Sequence, residues 1–460
     1  MTPHNSGYDL STWPGFVDRL YAQSQFAIKL GLDAVAGALE LEGHPERTHR
    51  CILVAGTNGK GETASFLSSI LQAHGFRVGL YTSPHIIDLR ERFRVDGRLM
   101  AVGEVHSIGR HVLERYGGPG DERPQLTFFE LTTVMAAIGF SRSQVDVGVY
   151  EVGLGGRLDA TNALPAELSV VTSVALDHTE YLGDDVESVA AEKAGIFRPG
   201  RPAVVGRQAY PAAQQTLEGL APMDASFYGR HFRATADGVA FDDAATGDSR
   251  AAELPWARVD GAEVDVTGQP QPPTRLWNAA CAAQAARRFL GESFAPDAAI
   301  RGLRASRWPG RLDRRIIETP RAGGAGRSRA YFFDAAHNPD GAAVLFDFLE
   351  ERGLEIGAVV CGAMKNKDVP GIFARLSATW PVFACVLASE RSASAEQLAD
   401  ALASKDHRAT GTCAEMLERA QSVVDAAGQG SAILVFGSIY LLGECFETLG
   451  LESDSLLTNR

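Results

Sequence analysis

The residues best suited to chemistry lie in VAGTNGKGET, residues 54–63. An apolar strand ends at Gly56, a glycine-rich turn follows, and Lys60 opens a helix. Glycines let backbone N–H groups approach phosphate oxygens, the helix N-terminus adds unbonded donors, and the lysine adds a point charge. Gly59, Lys60 and Gly61 behind a buried strand therefore predict a phosphate loop rather than a tight turn with a surface lysine. Such loops usually follow their lysine with a hydroxyl that ligates Mg²⁺. Here Glu62 takes that place and Thr63 comes next. The Glu62 carboxylate is either a ligand or screen for the metal, or a solvent-facing acid of the helix's first turn.

Three later segments each close a strand and break into polar sequence. They are YTSPH (81–85), with Ser83 and His85, EVGLGGRLDATN (151–162), with Glu151 and Asp159, and ALDHTEYLG (175–183), with Asp177 and His178. Ligands of open α/β sheets bind at the carboxyl ends of strands. Glu151, directly after DVGVY, is a carboxylate in a partly buried setting, which is costly unless it is paired or metal-bound. Ser83, Glu151 and His178 are expected to converge beside the phosphate loop as a Mg²⁺ site, oxygen-rich with one nitrogen. A hydrogen-bonded structural histidine is the alternative for His178. Lys193, in AAEKAGIFRPG, reads on its own as a solvated helix lysine.

These groups need a scaffold, and the chain alternates apolar runs with helix-length stretches. A helix-rich segment over 16–40 comes first. Strands are predicted at 51–56, 77–83, 146–153, 168–177 and 201–206, with helices after Lys60 and over 127–142, 186–197 and 278–291. Buried β-branched strands alternating with helices imply a parallel sheet covered on both faces. Residues 225–270 lose this periodicity and read as short antiparallel edge strands and loops. SRWPGRLD (306–313) carries Pro and Gly between two patterned regions, as a hinge would. A second αβ alternation follows, with strands at 330–336, 358–363, 382–388 and 432–437 and a short low-complexity loop at 323–329. The fold class is therefore α/β: an N-terminal P-loop ATPase-like domain with a mainly parallel sheet (1–307), plus a smaller Rossmann-like C-terminal domain (308–460). A chain of 460 residues also exceeds the roughly 250–300 at which one core stops growing.

Composition narrows the function. Lys and Arg total 44 against 57 Asp and Glu, for a net charge of −13, which disfavours nucleic acid or an anionic membrane as partner. The six cysteines are scattered without a CxxC pair and read as reduced core residues. The first residues lack the basic start and apolar core of a signal peptide, and no apolar run reaches the roughly 18–20 residues of a membrane span. A cytoplasmic monomer is expected.

The ordered motifs closely resemble the folylpolyglutamate synthases, specifically the bifunctional dihydrofolate synthase/folylpolyglutamate synthase family of the Mur ligase superfamily. The resemblance runs over nearly the whole chain: IKLGL (28–32), AGTNGKG (55–61), YTSPH, LTFFE (126–130), EVGLGGRLDATN, ALDHTEYLG, EKAGIFRPG (192–200), WPGRLD (308–313), DAAHNP (334–339) and GSIYLLGE (437–444). It implies that Gly59, Lys60, Gly61 and Glu62 line the triphosphate site and that Ser83, Glu151 and His178 hold one or two Mg²⁺ ions. It also implies that Lys193 is carbamylated, and that Asn278, Arg311, Asp334 and His337 contact ATP. Pterin contacts are implied at Lys29, Leu30 and Gly31, at Thr127, Phe128, Phe129 and Glu130, and at Leu158, Asp159 and Ala160. Phe129 would stack on the pteroate, its other reading being a core aromatic. One departure stands out: many relatives carry a His-Gln pair just before the asparagine, where this chain has Leu276 and Trp277.

The implied reaction joins L-glutamate to dihydropteroate and to reduced folates through an ATP-derived acyl phosphate, with Lys60, His178 and Lys193 as catalytic residues. Three other readings remain at this point: a Mur-type amide ligase acting on a non-folate carboxylate, a nucleotide-binding module without turnover, and a kinase or switch-type NTPase.

Overall fold

The alternating pattern is realised as two compact units in a computed structural model, which describes residues 8–23, 31–118, 123–235, 238–242, 252–255, 273–321, 324–427 and 431–457. One unit comprises Met1–His85 and Leu89–Arg307, the other Ile86–Asp88 and Trp308–Arg460.

Among the described residues the first unit is built on an eight-stranded sheet. Its strands are β1 (Arg50–Ala55), β2 (Val78–Tyr81), β3 (Phe93–Val95), β4 (Arg98–Leu99), β5 (Val147–Glu151), β6 (Ala166–Val171), β7 (Ala203–Val205) and β8 (Ala225–Phe227). They run in the order β4-β3-β2-β5-β1-β6-β7-β8. All neighbours are parallel except the β2–β3 and β3–β4 pairs. The helices are α1 (Trp13–Ala22), α2 (Asp33–Leu41), α3 (Lys60–Ala73), α4 (Val102–Tyr116), α5 (Phe128–Arg142), α6 (Thr179–Leu182), α7 (Val186–Ala194), α8 (Pro211–Leu220), α9 (Pro273–Leu290) and α10 (Pro296–Ala305).

Strand β1 shows why both faces must be covered. Cys51, Leu53 and Ala55 enter one apolar cluster with Leu131 and Val134 of α5. Ile52 and Val54 enter another with Phe66 of α3 and Ala283 of α9. Successive strand side chains point to opposite faces, so a run that is apolar throughout buries both. Each fully buried Leu or Ile there contributes about 1.5–3 kcal/mol. The continuous run thereby fixes β1 at the sheet's centre, where its C-terminal end presents the glycine-rich turn.

Two sequence expectations need correction in this unit. The strand predicted to run to Asp177 stops at Val171. Beyond it the hydroxyls of Thr172 and Ser173 donate to Asn58 O (2.8 and 3.1 Å), which draws the chain out of the ladder and against the turn after β1. Within 225–270, β8 pairs parallel to β7. Among the described residues β9 (Phe232–Ala234), β10 (Gly238–Phe241) and β11 (Ala252–Pro255) form the antiparallel set, and residues 236–237, 243–251 and 256–272 lie outside the described residues.

Among the described residues the second unit carries a six-stranded sheet, β12-β13-β17-β14-β15-β16. The strands are β12 (Asp313–Arg321), β13 (Gly324–Asp334), β14 (Ile356–Cys361), β15 (Val382–Cys385), β16 (His407–Gly411) and β17 (Ala432–Phe436). The pairing is parallel apart from the β12–β13 hairpin. From Gly324 onward the segment predicted as a low-complexity loop belongs to that hairpin, because ladder hydrogen bonds are backbone bonds that small residues make as well as large ones. All six cysteines are free and buried, as reduced core residues should be. Among the described residues no helix is long and apolar enough to cross a membrane.

Candidate active site

The turn after β1 has a backbone that only glycine tolerates at two points. Gly56 has φ +145°, and a Cβ there would run into Thr172 Oγ1; Gly59 has φ +84°, and a Cβ would lie 2.5 Å from Asn278 Oδ1. Thr57 N–H donates to Ser173 O (2.7 Å), while Thr57 Oγ1 donates to Ala175 O and accepts from Ala175 N–H, both at 3.0 Å. The loop is thus braced on residues 172–175. Lys60 Nζ donates to Thr57 O at 3.0 Å.

Lys193 is not the solvated lysine that its local sequence suggests. Asp185 caps α7 by accepting from Ser188 N–H, and Lys193 then falls on the buried face with Val189, Ala190 and Ala194. The side chain is 3 % exposed, and Nζ donates to Gly56 O at 3.0 Å, at the start of the phosphate loop. Burial, seconded by the Lys60 charge, lowers its pKa to about 7, against the opposing pull of Asp177, Asp159 and Glu192. A substantial neutral-amine fraction therefore exists near neutral pH.

Glu62 takes neither of the two places expected for it. It is buried, accepts from Asn278 Nδ2 at 2.8 Å and lies 3.3 Å from Arg275 Nη1. Its side chain therefore belongs to the α3–α9 seam rather than to the triphosphate lining. An unpaired carboxylate in this position would be expensive, and Arg275 supplies the compensating charge. Arg275 could not have been assigned this role from sequence, since nothing local marks it.

Of the proposed metal set, Ser83 and Glu151 are brought together: Ser83 N–H donates to Glu151 Oε2 at 2.9 Å, and Glu151 is 4 % exposed. His178 is held with Asp177, its Nε2 3.9 Å from Oδ1. Its backbone is left-handed at φ +53°, an unusual conformation for a non-glycine residue that clusters at functional sites. Among the described residues no three His, Cys, Asp or Glu side chains form a metal cage. Mg²⁺ needs none, since it keeps several waters and takes one or two carboxylates plus phosphate oxygens. Glu151 fits that pattern. Thr63 Oγ1 is buried in the first turn of α3 with no hydrogen-bond partner among the described residues.

The residues implied for the pterin divide. Lys29 and Leu30 lie outside the described residues; Gly31 is half-buried. Thr127 and Glu130 form a capping box at the start of α5: Thr127 N–H donates to Glu130 Oε2 at 2.7 Å, so one oxygen of this carboxylate serves the helix end. Asp159 likewise accepts from Leu154 N–H (2.9 Å), Thr161 N–H (3.0 Å) and Thr161 Oγ1 (2.6 Å), with the half-buried Leu158 before it and the buried Ala160 after it. Burial raises its pKa despite those bonds.

Phe129 is half-buried, its ring lying over Gly153, where a Cβ would be 2.6 Å away; it lies at the rim of the core rather than within it. Phe128 stacks on Tyr21 with ring centroids 5.6 Å apart. Tyr21 Oη in turn meets His85 Nε2 at 2.6 Å, and Arg92 Nε donates to His85 Nδ1 at 2.8 Å. Because Nδ1 accepts, His85 Nε2 carries the proton and donates to Tyr21. Neither Tyr21 nor Arg92 was singled out from sequence, where a tyrosine in an amphipathic helix carries no distinguishing mark.

In the second unit Asp334 ends β13 and accepts from Leu312 N–H and Ala336 N–H, both at 2.8 Å. Leu312 holds φ +43°, and Arg311 Nη1 lies 3.9 Å from Asp334 Oδ1. His337 Nδ1 donates to Ala335 O at 2.9 Å, since a carbonyl can only accept, and this fixes the tautomer. Asn338 caps α11 (Pro339–Glu351) by accepting from Gly341 N–H.

Residues 321–439 match the family of the Mur ligase glutamate ligase domain. A phosphate-loop unit followed by such a domain defines a Mur-type ATP-dependent ligase. Within that class the chain belongs to the dihydrofolate synthase/folylpolyglutamate synthase family. It is 33 % identical to the Escherichia coli dihydrofolate synthase/folylpolyglutamate synthase over 446 residues, covering 96 % of this chain and 95 % of that one. Among solved structures it is similar to E. coli FolC in complex with DHPP and ADP, with a TM-score of 0.76, 30 % identity, and 98 % and 99 % of the two chains covered. A bifunctional folylpolyglutamate synthase/dihydrofolate synthase with Mn, AMPPNP and L-glutamate bound gives a TM-score of 0.73 at 30 % identity, with 98 % and 100 % covered.

Proposed function

We propose that this chain joins L-glutamate to dihydropteroate, forming dihydrofolate, and to reduced folates, forming polyglutamates, at the expense of ATP. The observation that carries the reading is Lys193 Nζ on Gly56 O at the start of the phosphate loop, in a chain aligned from end to end with ligases of this name.

A carboxylate oxygen of the folate substrate attacks the γ-phosphorus of ATP, and the bond to the bridging oxygen breaks to release ADP. The amine of L-glutamate then attacks the acyl phosphate carbon, phosphate leaves, and an amide remains after loss of a proton. Lys60 and the loop N–H groups meet the charge that spreads over the transferring oxygens. Ser83, Glu151 and His178 would hold Mg²⁺, which supplies charge neutralisation of the phosphate oxygens. Arg311, Asp334 and His337 are the second unit's candidates for nucleotide contact. Phe129 offers its exposed edge to the pterin. Lys193, with its amine partly neutral near pH 7, is suited to carbamylation by CO₂, which replaces an ammonium by an anionic oxygen donor.

The test is ADP release with Mg²⁺-ATP and L-glutamate, with and without dihydropteroate, together with mass detection of dihydrofolate. Dihydropteroate-dependent ADP release that matches dihydrofolate formed supports the reading. Absence of product with both dihydropteroate and a reduced folate would turn the assignment to a different carboxylate.

A further inference from the structure

Three of the six cysteines meet inside the second unit. Cys413 opens the helix Cys413–Ala427, Cys445 lies within the helix Ile439–Thr448, and Cys385 ends β15. Cys413 and Cys445 are 32 residues apart in sequence, yet their Sγ atoms are 3.0 Å apart. Cys385 reaches them through the sheet. It is in register with Gly411 of β16, two residues before Cys413, and its thiol donates a hydrogen bond to Cys413. Apolar packing alone does not require sulfur to face sulfur. A disulfide bond is about 2.05 Å long, so sulfurs 3.0 Å apart need to close by only about 1 Å.

The three thiols are not equivalent. Cys385 and Cys445 are fully buried, whereas Cys413 retains 4 % exposure. Cys413 also stands at the N-terminus of its helix, where unbonded N–H groups and the helix dipole favour a thiolate. Hydrogen bonds from Cys385 and then Cys445 lower its pKa against the effect of burial. Its partners shift the other way, Cys385 first through its bond to Cys413 and Cys445 first through burial. One sulfur is set up as a nucleophile and its neighbour as a protonated thiol.

We infer that Cys413 and Cys445 form a reversible oxidation site, closed to a disulfide by a peroxide and reopened by a dithiol. The Cys413 thiolate attacks one oxygen of hydrogen peroxide and the O–O bond breaks. The leaving hydroxide takes up the proton that Cys413 lost, and Cys413 becomes a sulfenic acid. The Cys445 sulfur then attacks the Cys413 sulfur, the S–O bond breaks, and hydroxide leaves with the Cys445 proton. Two thiols and one peroxide thus give one disulfide and two waters, the sulfurs losing the two electrons that the peroxide gains. Both helices pack on one apolar cluster with Phe333 and Val435, so the bridge fastens that face of the second unit's sheet. It also closes a loop in the unfolded chain, which favours the folded state.

The experiment treats the full-length reduced chain with hydrogen peroxide, counts free thiols and maps linked peptides by mass. The six thiols should fall by two, with one peptide pair joined through Cys413 and Cys445, and dithiothreitol should restore them. The sulfoxide of the exposed Met223 gauges the dose. In Cys445→Ala, Cys413 should persist as a sulfenic acid that dimedone traps, whereas Cys385→Ala should leave the bridge intact. Pulse proteolysis should show the oxidised second unit opening at a higher denaturant midpoint than the reduced one, a shift absent from Cys445→Ala. Six thiols that still titrate once Met223 is a sulfoxide overturn the proposal, and that result needs no variant to fold. A bridge that takes Cys385 in place of Cys445, or that links two chains, overturns it as well. Equal midpoints for the oxidised and reduced chain would overturn the fastening of the two helices.

Discussion

At Lys193 the protonation state decides what the side chain can become. Its folded pKa of about 7 against an ordinary 10.5 means that the unfolded chain binds the extra proton between those values. Stability should therefore rise with pH through that window and be least below it. The neutral amine needed for carbamylation increases in the same direction. With carbon-13-labelled bicarbonate, a carbamate resonance should grow between pH 6 and 8 and be absent from Lys193→Ala, whose ligase turnover should fall at least a hundredfold. A full-strength resonance in that variant would place the carbamate elsewhere. Gly59 makes a simpler case. Gly59→Ala adds a left-handed penalty of about 1–2 kcal/mol to the collision with Asn278, so nucleotide affinity should drop at least tenfold in a titration with ADP. That Gly59 closes a tight turn before a helix was legible from its position before Lys60, because a left-handed turn residue is most often glycine. The burial of Lys193 was not, because a lysine in a helix looks the same in sequence whichever face it falls on, and only packing chooses the face.

Between elements, the seam of α3 and α9 adds to its apolar cluster a buried ion pair, Glu62 with Arg275, and the Asn278 bond. Breaking a buried pair from one side costs about 3–5 kcal/mol, whereas replacing both members by apolar groups can be nearly neutral. Glu62→Ala should accordingly lower the denaturant midpoint by an amount of that order, and Glu62→Leu combined with Arg275→Met should restore much of it. If the double variant is as unstable as the single ones combined, the pair is not the coupled unit described. Elements of this kind were readable wherever one periodicity ran uninterrupted: β1, α3, α5 and β5 fall where apolar alternation put them. The end of β6 was not readable, since Thr172 and Ser173 are good strand formers locally and leave the sheet only because Asn58 O is there to accept their hydroxyls. Glu62 illustrates the same limit: its partners are more than 200 residues away in sequence.

For the molecule as a whole, the distribution of histidines with depressed pKa values predicts which unit fails first in acid. His49 is buried against Tyr150, with Nε2 2.7 Å from the phenol oxygen, and burial lowers its pKa to about 4. His85, also in the first unit, is held well below its ordinary value by burial and then by Arg92. In the unfolded chain both titrate near 6.5. Between about 6.5 and 4 the unfolded state therefore takes up protons that the folded state refuses. The stability is fully present above that window and drains away as pH falls, by about 3 kcal/mol for His49 alone (6.5 minus 4, at 1.36 kcal/mol per unit). In the second unit the depressed acids Glu396 and Glu415 start from an ordinary value of 4.5 and titrate below it, and Glu444, raised by burial, works in the opposite sense as pH falls, so a loss of stability between pH 7 and pH 5 reports the histidines. Denaturant unfolding at those two values, read by pulse proteolysis with fragment masses to identify the unit that opens, should show the first unit's midpoint falling and the second's nearly still. His49→Gln should shrink the shift, because an amide can keep a bond to Tyr150 without a proton to gain. Equal shifts in both units, or an undiminished shift in His49→Gln, would mean that the acid sensitivity lies in groups other than these.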